Sequence, residues 1–328
     1  MKRLSIVTTM YNTAAYLPRC VDSLLDQDIP AEDYEIILVD DGSPDRDLEI
    51  ARDYASRHSN IRVISHSNKG LAGARNTGVE AAEGKYLRFV DPDDYIERNC
   101  LKALLGRMEE ENLDILRFNY QMVDEDYRNI EKPKDARIID YTSGIYDGKK
   151  YLVERQGFAC FVWTFIFRTS LIKPIHFREG DYFDDTAWLP QVFCAAQRVD
   201  TVPDICSYYL QRSGSLVNTA GADRRLNAQV VLVRRLCEKL PELDSSVRKW
   251  YEGMIAKVAL STLTSAAVHS YSSCSPFIKE LRSAGAFPLR PYLTTLSQRI
   301  KYSLLNVSPS IFCFLFKFYE QKSLSKII

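Results

Sequence analysis

From Leu4 to Val90, short apolar runs alternate with amphipathic stretches, the pattern of strands and helices taking turns along a parallel sheet. LSIVTT (Leu4–Thr9), EIILV (Glu35–Val39), IRVIS (Ile61–Ser65) and KYLRFV (Lys85–Val90) predict four strands. Between them lie three helical patterns. Ala14–Gln27 places Leu17, Val21, Leu24 and Leu25 on one face. Pro44–Arg57 follows Ser43, which predicts an N-cap with proline at the first helical position. Gly70–Glu83 stops before Gly84, a plausible C-terminal cap. The first third therefore reads as a doubly wound α/β sheet.

Past Asp94 the periodicity loosens. Glu97–Asn112 predicts a helix and DILRFN (Asp114–Asn119) a further strand, while Tyr127–Gly148 is rich in charge and turns and reads as a surface excursion or edge hairpin. Tyr151–Leu210 holds aromatic, strand-like pieces (FACFVWTFIF) and a helix near Trp188–Gln197. Beyond Asn218 almost every segment has helical spacing. These shifts divide the chain into residues 1–95, 96–218 and 219–328, with no internal repeat.

Composition narrows the class. The 328 residues are 46% hydrophobic and 26% charged, which is globular usage. Lys plus Arg and Asp plus Glu both total 43, so no overall field draws the chain to nucleic acid. The balance is uneven, because from Pro288 to Ile328 six basic residues face Glu320 alone. Eight scattered cysteines, with no CxxC pair, predict reduced thiols and a cytosolic setting rather than a zinc site or disulfides. The start, MKRLSIVTTMYN, turns polar too soon for a secretory signal, and no apolar run reaches the length of about 18 residues that a spanning helix needs.

In an open parallel sheet, ligands gather beyond the carboxyl ends of the strands. The first strand runs into TTMYN without the glycines of a dinucleotide turn, and no Walker A sequence occurs. The second ends in LVDDGSPD, where Asp40 and Asp41 can accept bonds from a ribose hydroxyl or a base N–H, or else build the turn. The third leads to Gly70, a helix N-terminus with Arg75 one turn inside, a setting for a diphosphate; glycines there also serve helix packing. The fourth ends in FVDPDDY, where Asp91, Asp93 and Asp94 repel one another unless a cation intervenes. Hard oxygen donors at this spacing suit magnesium or manganese. The alternative is a solvated acidic turn with Asp94 capping a helix. Three such features opening on one crevice favour a shared site.

VTTMYN, LVDDGSPD, NKGLAGARNTG and RFVDPDDY, in this order and spacing, resemble glycosyltransferase family 2, the inverting enzymes of GT-A fold that include bacterial capsule and lipopolysaccharide enzymes. The resemblance is strong over Leu4–Tyr95 and looser through WTFIFRTSLI, FREGDYFDDTAWLP and YYLQRSGSLVN, to about residue 218. It implies a GT-A domain whose nucleotide-sugar half is residues 1–95 and whose acceptor and catalytic half is 96–218, followed by a helical region. It places Thr8, Tyr11, Asp40 and Asp41 at the uridine, with Asn12, Asn68, Gly70 and Arg75 in the same donor set. Asp91 and Asp93 become the DxD pair, Asp93 the direct ligand of Mn²⁺ or Mg²⁺ and Asp91 nearer the ribose; the family's usual serine between them is Pro92 here. The base falls in Asp184-Asp185-Thr186, with Asp185 favoured and Asp184 the neighbouring register, because the family's Glu-Asp reads Asp-Asp. Arg212 would meet the diphosphate or acceptor, or else be a surface arginine.

The resemblance implies transfer from a UDP-sugar to a glycan or lipid-linked acceptor, in cell-surface polysaccharide synthesis. Two other classes stay open at this level: a nucleotide-sugar-binding module without a base, and a nucleotidyltransferase, which would carry a basic glycine-rich loop after the first strand. The tail around IFCFLFKFY, with its flanking basic residues, suits a helix on the inner face of the plasma membrane; a packed terminal helix or a homodimer contact is the alternative.

Overall fold

The computed structural model of the chain describes residues 2–131, 144–157, 160–212, 222–269, 274–292 and 295–324. The four expected strands form as β1 (Leu4–Met10), β2 (Tyr34–Asp40), β3 (Ile61–Ser65) and β4 (Tyr86–Phe89), joined by α1 (Leu17–Leu25), α2 (Asp47–Arg57) and α3 (Gly70–Ala81). Beyond them come β5 (Tyr95–Ile96), α4 (Leu101–Glu110), β6 (Ile115–Val123), β7 (Asn129–Ile130), α5 (Gly148–Glu154), β8 (Phe165–Arg168), α6 (Thr169–Ile172), α7 (Asp184–Ala195) and β9 (Val199–Leu210).

All nine strands lie in one sheet, ordered β3-β2-β1-β4-β8-β6-β9-β5, with β7 paired to β6. The part predicted with most detail is parallel: β1 pairs β2 and β4, and β2 pairs β3, all in the same direction. From β4 outward the sheet is mixed, since β8 runs antiparallel to both β4 and β6 while β9 is parallel to β6. Every residue of β1 and β2 is buried. Such two-faced burial explains why apolar residues occupy both faces of each strand, and each buried aliphatic side chain contributes about 1.5–3 kcal/mol.

Two details of the sequence reading change. Helix α2 does not start after Ser43, and its N-cap is Arg46. The Ser43 hydroxyl instead donates to Asp45 Oδ1 at 2.6 Å and accepts the Asn12 N–H at 2.7 Å. Asp45 and Asp47 are stronger acceptors than a helix start can rival, and they hold the loop after β1 through Ala14 N at 2.9 Å and Thr13 N at 3.0 Å. Gly84 caps no helix. Helix α3 ends at Ala81 with Ala82 as its C-cap, and a Cβ at residue 84 would sit 2.4 Å from Ser5 N, so glycine is needed there for a close pass over β1. Of the Tyr127–Gly148 excursion, β7 forms the edge hairpin with β6, and residues 132–143 lie outside the described residues.

The chain divides into two compact units, one of Met1–Gly180 with Asp184–Ser215, the other of Asp181–Phe183 with Leu216–Ile328. The expected boundary at residue 218 lies outside the described residues. The second unit is helical, as its spacing predicts: α8 (Ala222–Lys239), α9 (Ser245–His269), α10 (Cys274–Ser283), α11 (Leu296–Val307) and α12 (Pro309–Leu324). No described helix is long and apolar enough to cross a membrane.

Candidate active site

Parallel pairing sets the carboxyl ends of β1, β2 and β4 side by side, which is where the expected residues converge. The turn after β2 requires Gly42, at φ +67°, a left-handed conformation that side chains resist. A Cβ there would lie 3.0 Å from Asn68 N. Asp40 is committed to this turn: its Oδ1 accepts Ser43 N at 3.0 Å and its Oδ2 the Ser65 hydroxyl at 2.8 Å. Asp41 accepts Lys69 N at 2.7 Å, fixing the entry to α3, and lies 3.4 Å from His66 Nδ1. At the rim, Tyr11 is 51% exposed and Asn68 is exposed, while Asn12 holds a left-handed φ of 57°. Thr8 is fully buried inside β1.

Gly70 does open α3, and Arg75 follows one turn inside. Gly78, by contrast, serves packing, since a Cβ there would stand 2.2 Å from Val7 Cγ1. Arg75 is buried and turned to carboxylates. Its Nη1 donates to Asp184 Oδ2 at 2.9 Å, and its Nη2 lies 3.6 Å from Asp91 Oδ1. Burial works against its charge, yet Asp184, Asp91 and Asp185 together hold it above the ordinary arginine value.

The DPDD turn closes through Asp94 N, which donates to Asp91 O at 3.0 Å. Its three carboxylates differ. Asp91 is half-buried, and burial lifts its carboxyl to about 6, Arg75 opposing the rise and Asp93 adding to it. Asp93 accepts Arg212 Nε at 2.7 Å, with the Arg212 guanidinium 4.8 Å from the Tyr16 ring centre. Asp94 caps no helix. It is buried, accepts Leu210 N at 2.9 Å and so ties the turn to the end of β9, and its Oδ2 has no partner among the described residues; burial beside Asp93 and Asp91 drives its carboxyl well upward.

Helix α7 brings the second acidic pair. Trp188 stacks on Phe177 at 4.2 Å, meets Phe89 of β4 edge-on at 6.2 Å and donates its indole N–H to Ile175 O at 2.6 Å. This aromatic wedge fixes the helix start against the end of β4. Asp184 is buried and spent on Arg75, whereas Asp185 is partly exposed and accepts only Thr186 N, at 3.0 Å. Burial and the adjacent Asp184 lift the Asp185 carboxyl to about 7, with Arg75 opposing. A carboxylate poised near neutrality is what general-base chemistry needs.

Among the described residues, no group of three or more His, Cys, Asp or Glu converges to hold a metal by itself. Asp91 and Asp93 in one turn, 27% and 19% exposed, are hard oxygen donors of the kind that bind magnesium or manganese together with substrate phosphates. The residues present fit such an ion. Sequence reasoning missed Asp45, Asp47 and His66, which shape the donor side. Of these the GSPD turn signalled Asp45 alone.

Similarity to known proteins agrees with this geometry. The model of glycosyl transferase family 2 matches residues 5–174. An uncharacterized glycosyltransferase of Bacillus subtilis, EpsJ, is 36% identical over 217 residues, covering 65% of this chain and 62% of EpsJ, just under two thirds of its length. GlyG, a glycosyltransferase of Streptococcus pneumoniae, is 31% identical over 229 residues, covering 66% of this chain and 73% of GlyG. Among solved structures, residues 1–349 of TarS from S. aureus, in complex with UDP-GlcNAc, superpose with a TM-score of 0.70 at 19% identity, covering 98% of this chain and 92% of that one. PcManGT, a mannosyltransferase of Pyrobaculum calidifontis in complex with GDP-Man and Mn²⁺, does so at 0.56 and 15% identity, covering 97% and 87%.

Proposed function

The chain belongs to glycosyltransferase family 2 and is a glycosyltransferase of GT-A fold, and from that premise we propose that it moves a sugar from a UDP-linked donor to a hydroxyl of a glycan or lipid-linked acceptor. The single observation that carries this reading is the meeting of Asp91 with Asp184 and Asp185 around Arg75 at the end of β4, with Asp93 of the same turn held by Arg212. Nucleotide sugars bound to TarS and PcManGT, the latter with Mn²⁺, support a nucleotide diphosphate donor and a divalent cation.

Tyr11 at the exposed rim and Asp41 at the α3 entry take the nucleoside, and Asp40 shapes the floor beneath them through its bonds to Ser43 and Ser65. Asp93, with Asp91 nearer the ribose, would hold the cation, which when bound neutralises charge gathering on the leaving diphosphate. Arg212, now on Asp93, is in reach of the same charge. Asp185 takes the proton from the acceptor hydroxyl as its oxygen bonds to the anomeric carbon and the bond to the diphosphate oxygen breaks, a single displacement that inverts the centre. General-base help of this kind contributes roughly 10²–10⁴-fold. Arg75 orients the acidic pair by holding Asp184 in a buried ion pair at 2.9 Å, which leaves Asp185 as the group able to accept a proton.

The setting proposed is cell-surface polysaccharide synthesis, capsule or lipopolysaccharide, with the chain at the cytoplasmic face of the membrane where lipid-linked acceptors present their sugars. Nucleotide release from a panel of UDP-, GDP- and TDP-sugars with manganese tests the reading. Release from a UDP-sugar that rises with acceptor is expected; no release from any member of the panel overturns it.

A further inference from the structure

Exposed large apolar side chains are not spread evenly over the described residues. Half of them, Leu296, Ile300, Val307, Ile311, Phe314 and Leu315, fall within the twenty residues from Leu296 to Leu315, which hold α11 and the start of α12. On α11, Leu296, Ile300 and Val307 are 75%, 62% and 83% exposed. Spacings of four and seven residues put them on one stripe of the helix. On α12, Ile311, Phe314 and Leu315, spaced three and four residues from the first, form a second stripe. These helices are not short of a core, because their opposite faces bury Tyr302, Leu305, Phe312 and Cys313 inside the helical unit. Each helix is thus apolar on two sides, one packed and one facing solvent. Isolated exposed leucines are ordinary, but a concentration of this size marks an interaction surface.

Charge decides what fits it. From Leu281 to Tyr319 the chain has no acidic residue, while Arg282, Arg290, Arg299, Lys301 and Lys317 are basic. Arg290 is tied to Glu252 at 2.8 Å, and Lys301 lies 6.0 Å from the Phe316 ring centre. A second copy docking by a two-fold axis would set this basic surface against its own image, opposing like charges. An anionic bilayer supplies both apolar depth and the opposite sign. We propose that α11 and α12 form a membrane-docking surface that lies in the headgroup layer of an anionic bilayer, Leu296, Ile300, Val307, Ile311, Phe314 and Leu315 entering the acyl boundary and Arg299 and Lys301 engaging lipid phosphates. This deepens the proposed work at a bilayer, and rests on that reading.

The test is sedimentation of the full chain with phosphatidylcholine vesicles, with and without phosphatidylglycerol, beside calorimetric binding of UDP with manganese. Binding that needs phosphatidylglycerol is expected. Ile300→Ser with Ile311→Ser should weaken it by about tenfold or more through lost apolar burial. Arg299→Gln with Lys301→Gln should weaken it by roughly 25-fold, at about 1 kcal/mol for each charge near the surface. All four positions are on the solvent face, so melting curves should match the parent. A parent that stays in the supernatant, or serine variants that sediment as the parent does, overturns the surface. So does a dimer in sedimentation equilibrium that the serine pair dissociates. UDP binding without vesicle binding refutes this surface alone, and vesicle binding without UDP binding refutes the donor site alone.

Discussion

Two acidic turns end β2 and β4, the parallel strands on either side of β1, and the groups that hold their carboxylates differ in kind. After β2, Asp40 meets Ser43 N and the Ser65 hydroxyl, and Asp41 meets Lys69 N. These are neutral donors, all within 28 residues, that fix a shape. After β4, Asp91 and Asp93 face the guanidinium groups of Arg75 and Arg212, the second 119 residues away, and Asp94 is buried with an oxygen unpartnered among the described residues. Neutral bonds leave a turn indifferent to added cations. A turn whose negative charge is already met by borrowed cations is one where a metal and a diphosphate can exchange places with arginine side chains. The difference separates the shaping side of the crevice from the reacting side.

The sharpest way to break this contrast is to remove a carboxylate from each turn. Asp93→Ala should lower transfer by about 10³-fold or more, since charge stabilisation by a metal is worth several kcal/mol, and should abolish manganese-dependent UDP binding in calorimetry. Asp40→Asn, which removes an anion from the other turn, should cost stability in a thermal melt and leave kcat within about threefold, because an unsatisfied turn costs about 1–3 kcal/mol. Equal rate losses in the two variants would erase the distinction.

Asp185→Asn extends the contrast to α7. Transfer should fall roughly 10²–10⁴-fold with donor binding retained. With its carboxyl lifted to about 7 by burial and Asp184, kcat/KM in the parent should drop as pH falls through that region, because a protonated Asp185 takes no proton. The stability sign is the reverse. A carboxyl raised above its unfolded value favours the folded state when protonated, so the parent's deficit relative to Asp185→Asn should be largest above pH 7 and shrink as pH falls toward about 4. A flat kcat/KM profile, or an Asp185→Asn variant at parental rate, moves the base elsewhere.

Arg75→Met probes the cation that joins the two acidic pairs. Removing one partner of a buried ion pair leaves charge uncompensated and typically costs about 3–5 kcal/mol. Arg75 and Asp184 are both nearly inaccessible, so the full range applies. Denaturant unfolding should show a loss of that order, and adding Asp184→Leu should restore part of it, since the orphaned carboxylate goes too. Additive losses in the double variant would mean that the two residues do not depend on each other.

What could be read from the chain follows the reach of the forces involved. Strands β1 to β4 were legible because the buried positions of a sheet demand short apolar-rich runs, on both faces in β1 and β2 and at fewer positions in β3, and DPDD because adjacent carboxylates need a reason. The start of α2 was misplaced by three residues because Asp45 and Asp47 outcompete Ser43 for backbone and hydroxyl donors, and a capping rule reads one side chain at a time. The partners of Arg75 and Asp94 were beyond reach, for Asp184 is 109 residues on and Leu210 is 116. Periodicity carries no information about such pairings. The mixed half of the sheet was hidden for the same reason: β8 lies between β4 and β6 only because of long-range pairing.

The smallest expected effect belongs to Asp41, which sits on the shaping side yet is assigned to the nucleoside. In Asp41→Asn the Oδ1 that accepts Lys69 N at 2.7 Å is kept as an amide oxygen, so the entry to α3 should hold and the melting temperature should stay near the parent's. What is lost is charge. A charge-assisted bond is roughly twice as strong as a neutral one, a difference of about 1.4 kcal/mol or tenfold in affinity. Calorimetry should therefore show the UDP Kd rising about tenfold, with kcat unchanged at saturating donor, because the contact is made equally in the ground and transition states. An unchanged Kd with an unchanged melt would make Asp41 a turn residue only, and would leave Tyr11 and Asn68 at the rim to account for nucleoside binding.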